Sequence, residues 1–558
     1  MGTIVTEIKF KFGKGPGTTP EVTKLTPVTV FVGPNNSGKS KVLAEIRRHC
    51  SSDEKSPETN LILDRLGFAS LTQHDVDETI RRFTLPIPPS QPMQPDEVLY
   101  GSPQRPYRVS RTHLVQSLRN SASQYFPWYY LDLRTLMLDG PNRVNLINQQ
   151  PAADLLQAPF TSFQVLFRDD AKRAEVRRIL FEAFGLYFVV DPTNLGQLRI
   201  RLSLREPATV IEERGIHEAA LEFQAAALPI DETSDGVKAF TGMVTEIVAG
   251  DPIILLIDEP EAFLHPALAF LLGKEIARLS SSSQKNLFVA THSADFVMGC
   301  IQSGVPVNII RLTYRSGVAT VRVLRNDEIL QLMRNPLLRS TGLLRGLFYE
   351  SVVVTESDTD RAFYQEVNER LLRFKPEAGI PNCLFLNAQN KQTVRTIIRP
   401  LRDLGIPAAA IVDIDVLKEG GNVWSGFLEG GFVPEIERHA LAVARSEAKS
   451  RFDSTGKDMK REGGLNILAT DDREAVGNLF ERLSEYGLFV VPHGEIESWL
   501  PSLGAQGHGP NWLVDIFEKM GEDPANPTYV RPSSGDVWQF VGNLKRWLVN
   551  PNRKGIPY

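Results

Sequence analysis

The sequence predicts an α/β protein with a larger N-terminal domain and a smaller C-terminal one. A glycine-rich loop follows a buried apolar strand at residues 28–32. Residues 253–290 form a strand, a helix and a strand, and a second alternation of strands and helices starts near residue 349. Apolar runs without alternation are typical of strands buried on both faces of a parallel sheet.

Composition excludes several classes of protein. The 558 residues are 42% hydrophobic and 23% charged, which is enough for more than one buried core. A net charge of -5, from 62 basic and 67 acidic residues, argues against a generally polybasic nucleic-acid binder. The acidity is concentrated in residues 349–558, which contain 24 basic and 30 acidic residues.

Cysteine usage and hydropathy indicate a protein of the cytoplasm without a membrane partner. Cys50, Cys300 and Cys383 are far apart and show no CxxC spacing, so neither a disulfide framework nor a thiolate zinc site is expected. The N-terminus has no apolar signal core, and no stretch approaches the ~20 apolar residues of a membrane-spanning helix.

The predicted elements divide the chain at about residue 326. Residues 1–326 form the first domain, with strands at 3–12, 28–32, 186–190, 198–204, 253–257, 308–313 and 320–324, and helices within 154–184 and at 266–278. Residues 51–127 are rich in Pro, Ser, Asp and Gln, so we expect an irregular insertion there. Residues 327–348 form a helical connector, and 349–558 the second domain, with an insertion at about 418–465.

The segment GPNNSGKS, residues 33–40, matches the P-loop pattern between a strand and a helix. Such a loop curls its backbone N–H groups toward the phosphates of a nucleotide at a helix N-terminus. Lys39 is expected to reach the β- and γ-phosphates, and the Ser40 hydroxyl to bind Mg²⁺. The predicted ATP-binding residues of this loop are Gly33, Asn35, Asn36, Ser37, Gly38, Lys39 and Ser40.

Two consecutive carboxylates end the apolar strand IILLIDE. Asp258 is expected to hold Mg²⁺, and Glu259 to polarise the water that attacks ATP. This pairing needs two acidic side chains at the end of one buried strand. It is the second half of a P-loop ATPase site.

The motifs GPNNSGKS, IDEPEAFLHP and ATHSADF together resemble the ABC-type ATPase of the overcoming-lysogenization-defect (OLD) family and its AAA-like relatives. The resemblance implies that two heads sandwich ATP, with a signature serine contributed in trans. Ser234 and Gly236, in DETSDGVK, best match that signature, although Asp235 stands where LSGGQ has a glycine. His292 matches the switch histidine. Gln164 and the region around Arg134 remain alternatives for the Q-loop.

Carboxylates also end two strands of the second domain. Glu356 follows one strand and Asp360 lies on the next helical turn, while Asp413 and Asp415 follow another strand. Oxygen ligands suit Mg²⁺ or Mn²⁺ better than zinc. The arrangement resembles the TOPRIM domain of topoisomerases, primases and OLD-family nucleases, with Ser357 in place of the usual glycine. The resemblance assigns metal-binding and acid–base roles to these acids, with Glu356 catalytic.

A third acidic element, HGEIES, follows a later strand. Glu495 and Glu497 are candidates for a second metal site, as two-metal OLD-type nucleases imply. The same resemblance implies a late lysine near the scissile phosphate, for which Lys545 is the candidate, with a solvated amphipathic helix as the alternative. Lys391 is another candidate phosphate contact.

These expectations combine into one functional hypothesis. The chain is an ATP-binding and ATP-hydrolysing, metal-dependent endonuclease, using ATP and Mg²⁺ or Mn²⁺. Its partners are nucleic acid, with DNA favoured and tRNA or other RNA open, and further copies of itself in a homodimer or higher homo-oligomer. OLD resemblance implies antiphage defence with a defence-system partner or phage trigger protein. The alternatives are a nucleotide-driven sensor or scaffold with an inactive TOPRIM domain, and a DNA-repair ATPase.

Overall fold

The computed structural model describes residues 3–51, 59–87, 93–102, 105–152, 154, 156–315, 317–324, 329–330, 334 and 342–557. The chain forms two compact units, built mainly from residues up to 326 and from residues after 326, respectively. Of the predicted connector 327–348, residues 327–328, 331–333 and 335–341 lie outside the described residues, and Leu343–Phe348 is a 3₁₀ helix.

The first unit contains 15 described strands and 11 described α-helices. The strands are β1 Val5–Phe10, β2 Val22–Lys24, β3 Val28–Val32, β4 Leu63–Phe68, β5 Glu97–Ser102, β6 Arg105–Ser110, β7 Thr135–Leu138, β8 Gln150–Pro151, β9 Tyr187–Asp191, β10 Gln197–Ser203, β11 Leu228–Pro229, β12 Ile254–Asp258, β13 Asn286–Ala290, β14 Val307–Arg315 and β15 Val318–Leu324. The helices are α1 Lys39–His49, α2 Gln73–Phe83, α3 Arg111–Arg119, α4 Gly140–Asn145, α5 Ser162–Arg168, α6 Asp170–Phe184, α7 Val210–Arg214, α8 Glu218–Ala226, α9 Asp235–Ala249, α10 Pro266–Ser282 and α11 Ala294–Gln302.

A six-stranded sheet in the order β15-β14-β3-β13-β12-β7 forms the centre of the first unit. Its strands from β14 to β7 run parallel, and β15 returns antiparallel beside β14. Every residue of β3 and β13 is buried, as their unbroken apolar runs predict. The predicted strand-helix-strand unit is β12, α10 and β13.

The expectation that residues 51–127 are irregular is wrong for the part that the structure describes. Strand β4 pairs with β1, strands β5 and β6 form a hairpin, and helices α2 and α3 flank it. Leu63, Val76, Tyr100 and Leu114 are buried in the same hydrophobic core as Phe31. The apolar residues of this segment are thinly spaced between polar ones, so its composition resembles a loop although its buried face is continuous.

The second unit is built on a four-stranded parallel sheet in the order β17-β16-β18-β19. Its strands are β16 Ser351–Thr355, β17 Cys383–Asn387, β18 Ala408–Val412 and β19 Leu488–Val490. Its helices are α12 Asp358–Phe374, α13 Lys391–Asp403, α14 Gly421–Gly430, α15 Glu435–Ser454, α16 Thr470–Ser484, α17 Pro510–Met520 and α18 Asp536–Val549. Within the described ranges, no helix is both long enough and apolar enough to cross a membrane.

Candidate functional site

The nucleotide motifs meet at one edge of the six-stranded sheet. The P-loop follows β3, Asp258 ends β12 and His292 follows β13. Strand β13 lies between β3 and β12 and is parallel to both. Because ligands of open α/β sheets bind beyond the carboxyl ends of the strands, the fold itself gathers these residues.

The backbone of the P-loop has the curvature that the motif predicts. Gly33, Asn36 and Gly38 all have positive φ angles, of 148°, 60° and 96°. The φ angle of Gly38 favours glycine there, and a Cβ atom would also displace the end of the Ile62 side chain, 2.7 Å away. Helix α1 begins at the next residue, which aims its N-terminal N–H groups into the loop.

Lys39 is a buried lysine at the start of α1, and its ammonium lies 3.5 Å from the Ser37 hydroxyl. Burial lowers the pKa of Lys39 to about 8, against the opposing charges of Glu259 and Asp258. The phosphates of a nucleotide would favour the charged ammonium again. The lysine is therefore placed for an anionic ligand.

The two residues expected to hold Mg²⁺ converge. The Ser40 hydroxyl donates a hydrogen bond of 3.1 Å to Oδ1 of Asp258. Burial raises the pKa of Asp258, and the hydrogen bond from Ser40 opposes that rise. A hydroxyl and a carboxylate at this separation fit the oxygen-rich coordination that Mg²⁺ requires.

Glu259 has a backbone conformation that residues with side chains rarely adopt. Its φ angle is 50°, and its N–H donates to the carbonyl of Ala290 at 2.8 Å. Its Oε1 lies 3.7 Å from the ring atom Nε2 of His292. The backbone N–H of His292 donates to Oε1 of Glu261 at 2.7 Å. Burial, together with the charge of Lys39, lowers the pKa of His292. A neutral imidazole therefore faces the carboxylate at neutral pH.

The signature candidates lie at the start of α9. The Ser234 hydroxyl caps this helix and accepts from the N–H of Val237 at 3.5 Å. A Cβ atom on Gly236 would lie 2.6 Å from the carbonyl oxygen of Phe263, so glycine permits α9 to pack against the turn after β12. An ATP-binding role in trans for Ser234 and Gly236 stays a prediction.

One Q-loop alternative reaches the nucleotide edge of the sheet. The region around Arg134 ends with Asp139 and Gly140, which directly follow β7 beside Asp258. The amide of Gln164 donates to the carbonyl of Pro151 at 2.7 Å and accepts from the N–H of Phe160 at 3.0 Å. Arg134 directly precedes β7, at the end of the strand opposite to this edge, and lies 3.4 Å from Asp251. Both side chains are engaged in local structure.

The second candidate site lies at the carboxyl edge of the four-stranded sheet. Strands β16, β18 and β19 are neighbours, and each is followed by acidic residues. Carboxylate oxygens of Glu356, Asp413 and Asp415 lie within 4.8 Å of one another. Two adjacent parallel strands, β16 and β18, thus bring three acids to one place, a geometry that suits a divalent ion.

Glu356 is tied to the neighbouring strand. Its Oε1 accepts a hydrogen bond of 2.9 Å from the N–H of Asp413. Burial, and then the charge of Asp413, raise the pKa of Glu356 to about 8. Burial also raises the pKa of Asp413, against the opposing charge of Lys460. Without a bound metal ion, the Glu356 carboxyl group therefore keeps a proton near neutral pH.

Asp360 lies on the first turn of α12 and takes part in a capping box. Its side chain accepts from the N–H of Ser357 at 3.0 Å, and its own N–H donates to the Ser357 hydroxyl at 3.1 Å. Burial and the charge of Asp413 raise the pKa of Asp360 to about 7. Ser357 has a φ angle of -129°, so this turn does not need the glycine of the usual TOPRIM motif.

Lys460 also contacts these carboxylates, although the sequence did not predict it as a residue of the site. Its ammonium lies 2.8 Å from Asp413, 3.9 Å from Asp415 and 3.8 Å from Glu495. Burial opposes its charged form, but the charges of Asp413 and Asp415 raise the pKa of Lys460. Lys391 also reaches the site, with its ammonium 2.9 Å from Asp415.

The structure does not bring Lys545 to the carboxylates. Its ammonium donates to the carbonyls of Pro376 and Glu377, at 3.0 and 2.7 Å. These residues follow the last turn of α12, whereas Asp360 lies on its first turn. Seventeen helical residues span about 25 Å, so Lys545 is far from the site that it was expected to serve.

Glu495 and Glu497 form a second cluster with a histidine. Their carboxylate oxygens and a ring nitrogen of His508 lie within 4.8 Å of one another. Nδ1 of His508 is 2.5 Å from Oε1 of Glu497, which also accepts from the N–H of Gly509 at 2.8 Å. His508 was not predicted, because a lone histidine in a glycine-rich loop carries no signal in the sequence.

The chemistry of these acids fits a divalent ion. Buried oxygens of Asp415, Glu495 and Glu497 have no hydrogen-bond partner. Buried carboxylate oxygens are normally satisfied, because an unpaired one costs free energy. Orphaned oxygens beside converging carboxylates are what a site for a cation requires.

The fold and the two sites together define a P-loop ATPase head joined in one chain to a TOPRIM-type carboxylate domain. Comparison with known families agrees with this class. Residues 162–299 match the family described as "AAA domain, putative AbiEii toxin, Type IV TA system". Residues 347–415 match "Overcoming lysogenization defect protein-like, TOPRIM domain". The chain thus has the ATPase–TOPRIM architecture of the OLD family.

Individual relatives resemble only part of the chain. The ATP-binding protein ProV of the glycine betaine/proline betaine transport system of Salmonella typhimurium is 25% identical over 256 residues, which are 45% of this chain and 58% of that protein. The chain therefore covers less than two thirds of this relative. Among solved structures, the SmcHead bound to the C-winged helix domain of ScpA is 17% identical and has a TM-score of 0.34, covering 59% of this chain and 99% of that one. The SMC head domain from Thermotoga maritima is 13% identical with a TM-score of 0.29, covering 58% and 99%.

Proposed function

We propose that this chain is an ATP-dependent, divalent-metal-dependent endonuclease that hydrolyses phosphodiester bonds of nucleic acid. The observation that carries the proposal is the convergence of Glu356, Asp413 and Asp415 at adjacent parallel strand ends, with orphaned buried oxygens around them. The P-loop ATPase unit of the same chain supplies the nucleotide dependence. Three carboxyl groups within 4.8 Å repel one another when they are ionised, and a divalent ion would offset that repulsion.

Each acidic residue has a distinct task in this proposal. A bound Mg²⁺ or Mn²⁺ would neutralise the scissile phosphate and the oxygen that leaves from it. Asp413 and Asp415 hold the ion, and Asp360 fixes the first turn of α12 beside them. Glu356 would complete the ligands of that ion and is the proposed acid–base residue, and without a metal ion burial and Asp413 raise its pKa to about 8. Glu495 and Glu497 serve a second ion.

Lys460 takes the role that was expected of Lys545. Its ammonium is the cation nearest to Asp413, at 2.8 Å, among the ion pairs of the described residues. A phosphate that enters the site meets this charge together with the metal, which offsets the repulsion of the acids. Lys391, 2.9 Å from Asp415, contributes a second positive charge.

The ATPase half follows from the first site. Lys39 and the P-loop bind the phosphates, Ser40 and Asp258 hold Mg²⁺, Glu259 orients the attacking water and His292 faces it. We propose that two heads close on ATP through Ser234 and Gly236, so that the working form is at least a homodimer. Removing the Glu259 carboxylate by Glu259→Gln should abolish hydrolysis while ATP still binds.

Cleavage of purified nucleic acids tests the nuclease proposal. Wild type, Glu356→Ala and Asp358→Asn are incubated with supercoiled plasmid and with total tRNA, with Mg²⁺ or Mn²⁺, and with or without ATP. Asp358 is the matched control because it is on the same helical turn as Asp360 but is 71% exposed and paired with Arg361. We expect wild type and Asp358→Asn to cut, and Glu356→Ala not to cut.

The alternative outcome is equally defined. ATP hydrolysis without cleavage of any substrate, unchanged by Glu356→Ala, would favour the sensor or scaffold function. If cleavage is found, plasmid against tRNA identifies the substrate class. Protection of bacteria from phage infection by wild type, and its loss in Glu356→Ala, tests the proposed role in antiphage defence and the need for a trigger or partner protein.

A further inference from the structure

A buried arginine lies inside the ATPase site without having any part in the motifs. Arg143 belongs to the short helix α4, which directly follows β7, the neighbour of β12 in the sheet. The residue is only 2% exposed. Its Nη1 donates a hydrogen bond to the backbone carbonyl of Glu259.

That carbonyl belongs to a residue whose backbone needs support. Glu259 has a φ angle of 50°, in the left-handed region that side-chain-bearing residues rarely adopt. Its N–H is held by the carbonyl of Ala290 at 2.8 Å, on the neighbouring strand. Arg143 holds the other side of the same residue. The two hydrogen bonds fix the peptide groups on both sides of the Glu259 Cα atom, and so fix the direction in which its side chain leaves the backbone.

The surroundings of the guanidinium are acidic. Burial lowers the pKa of Arg143, while the charges of Glu261, Glu259 and Asp258 oppose this effect. Its Nε is buried and has no hydrogen-bond partner.

Helix α4 packs closely against helix α9. A Cβ atom on Gly242 of α9 would lie 2.7 Å from Cβ of Leu146 and 3.1 Å from the carbonyl oxygen of Arg143. The backbone of α4 therefore rests directly on α9, and glycine makes this approach feasible. Arg143 is held in place by the helix whose first residues include the signature candidates.

We infer that Arg143 is a positioning residue for ATP hydrolysis, which holds the backbone of Glu259 so that its carboxylate faces the attacking water. The inference rests on the proposed role of Glu259. Arg143 acts through Glu259 and not on the phosphates. Its loss should therefore slow hydrolysis while leaving nucleotide binding intact.

Steady-state ATPase kinetics and binding of a fluorescent ATP analogue test this inference on the full chain. We expect Arg143→Met to lower kcat by about 10- to 100-fold, the range that a misplaced catalytic group causes, with Kd for the analogue within about threefold of wild type. Arg143→Lys keeps a donor and should recover part of kcat. Arg65→Met is the control, since Arg65 on β4 is 69% exposed and pairs only at the surface with Glu7, and it should hydrolyse ATP like wild type.

A double variant separates positioning from general damage. If Arg143 acts through Glu259, Arg143→Met/Glu259→Gln should be no slower than Glu259→Gln alone. If Arg143→Met keeps the wild-type kcat while Glu259→Gln is inactive, the inference about Arg143 is overturned but the proposed role of Glu259 stands. Wild-type kcat in Glu259→Gln would overturn the proposed role of Glu259 and this inference with it. A parallel loss of analogue binding in Arg143→Met and Arg143→Lys would also overturn the inference.

Discussion

Replacing Glu356 by glutamine should stabilise the metal-free protein at alkaline pH. The substitution keeps the shape of the side chain and the acceptor for the Asp413 N–H, but it removes a charge that the fold disfavours. The structure raises the pKa of Glu356 from 4.5 to about 8. At about 1.4 kcal/mol per tenfold change, this corresponds to about 5 kcal/mol against the ionised, folded form at pH 8.

The neighbouring carboxylates share this penalty, so one substitution recovers only part of it. We expect Glu356→Gln to gain about 2 kcal/mol at pH 8, or about 5 °C in Tm for a unit of this size. Since the folded-state pKa is raised, the wild-type protein is fully stabilised by the neutral acid below pH 4.5 and loses that stability as the pH rises toward 8. The gain should therefore vanish near pH 5.

Thermal denaturation in EDTA at pH 5 and pH 8 measures this effect. Added Mg²⁺ or Mn²⁺ should raise the Tm of wild type at pH 8 and affect Glu356→Gln much less, because the ion needs the carboxylate. Asp358→Asn, at an exposed position on the adjacent helix, provides the control for removal of a negative charge. A Glu356→Gln variant that melts below wild type in EDTA at pH 8 would refute the electrostatic reasoning.

Three further predictions concern single side chains. Lys460→Met should lower the cleavage rate by about 100-fold, because it removes the proposed charge-assisted contact to phosphate. Lys545→Met should cut like wild type. Equal cleavage rates for the two variants would contradict the role proposed for Lys460. His508→Ala should weaken Mn²⁺ binding by about tenfold and Mg²⁺ binding much less, because an imidazole favours the transition metal. Calorimetric titration measures the affinity for both ions. An equal effect on the two ions would argue against His508 as a metal ligand. Arg402→Met should destabilise the protein by about 3–5 kcal/mol in thermal or urea denaturation. The buried guanidinium donates to the backbone carbonyls of Ala408, Gly431, Gly487 and Gly555. A loss of stability no larger than that of the exposed control Arg399→Met would disprove this.

The sequence predicted those parts of the sites that follow buried strands. Asp258 and Asp413 each come directly at the end of an apolar run, so strand, edge and chemistry can be inferred from a few adjacent letters. The parallel order of these strands then brings the acids together. The OLD-like pairing of an ATPase with a TOPRIM domain was predicted from the resemblance of the motifs to that family and is confirmed by both family matches.

Other parts depend on contacts that no local pattern encodes. Lys460 lies in a polar segment 45 residues beyond Asp415 and reaches the site only because of how that segment folds back. Lys545 has the basic, aromatic surroundings expected of a phosphate contact, but its helix packs so that the ammonium meets two carbonyls at the end of α12. The order within residues 51–127 was missed because its buried face is assembled from short elements that pair with distant ones.

Two glycines allow the backbone near Lys460 to lie directly against the turn that carries Glu495. A Cβ atom on Gly494 would lie 2.0 Å from the carbonyl oxygen of Lys460, and one on Gly464 would lie 2.3 Å from that of Pro492. The backbone that carries Lys460 is thus fastened to the turn that carries Glu495, at both ends of a short stretch. Helices α14 and α15 lie between Asp415 and Lys460 in the chain. The position of the lysine beside the acids is thus set by this backbone contact and not by the length of chain that separates them.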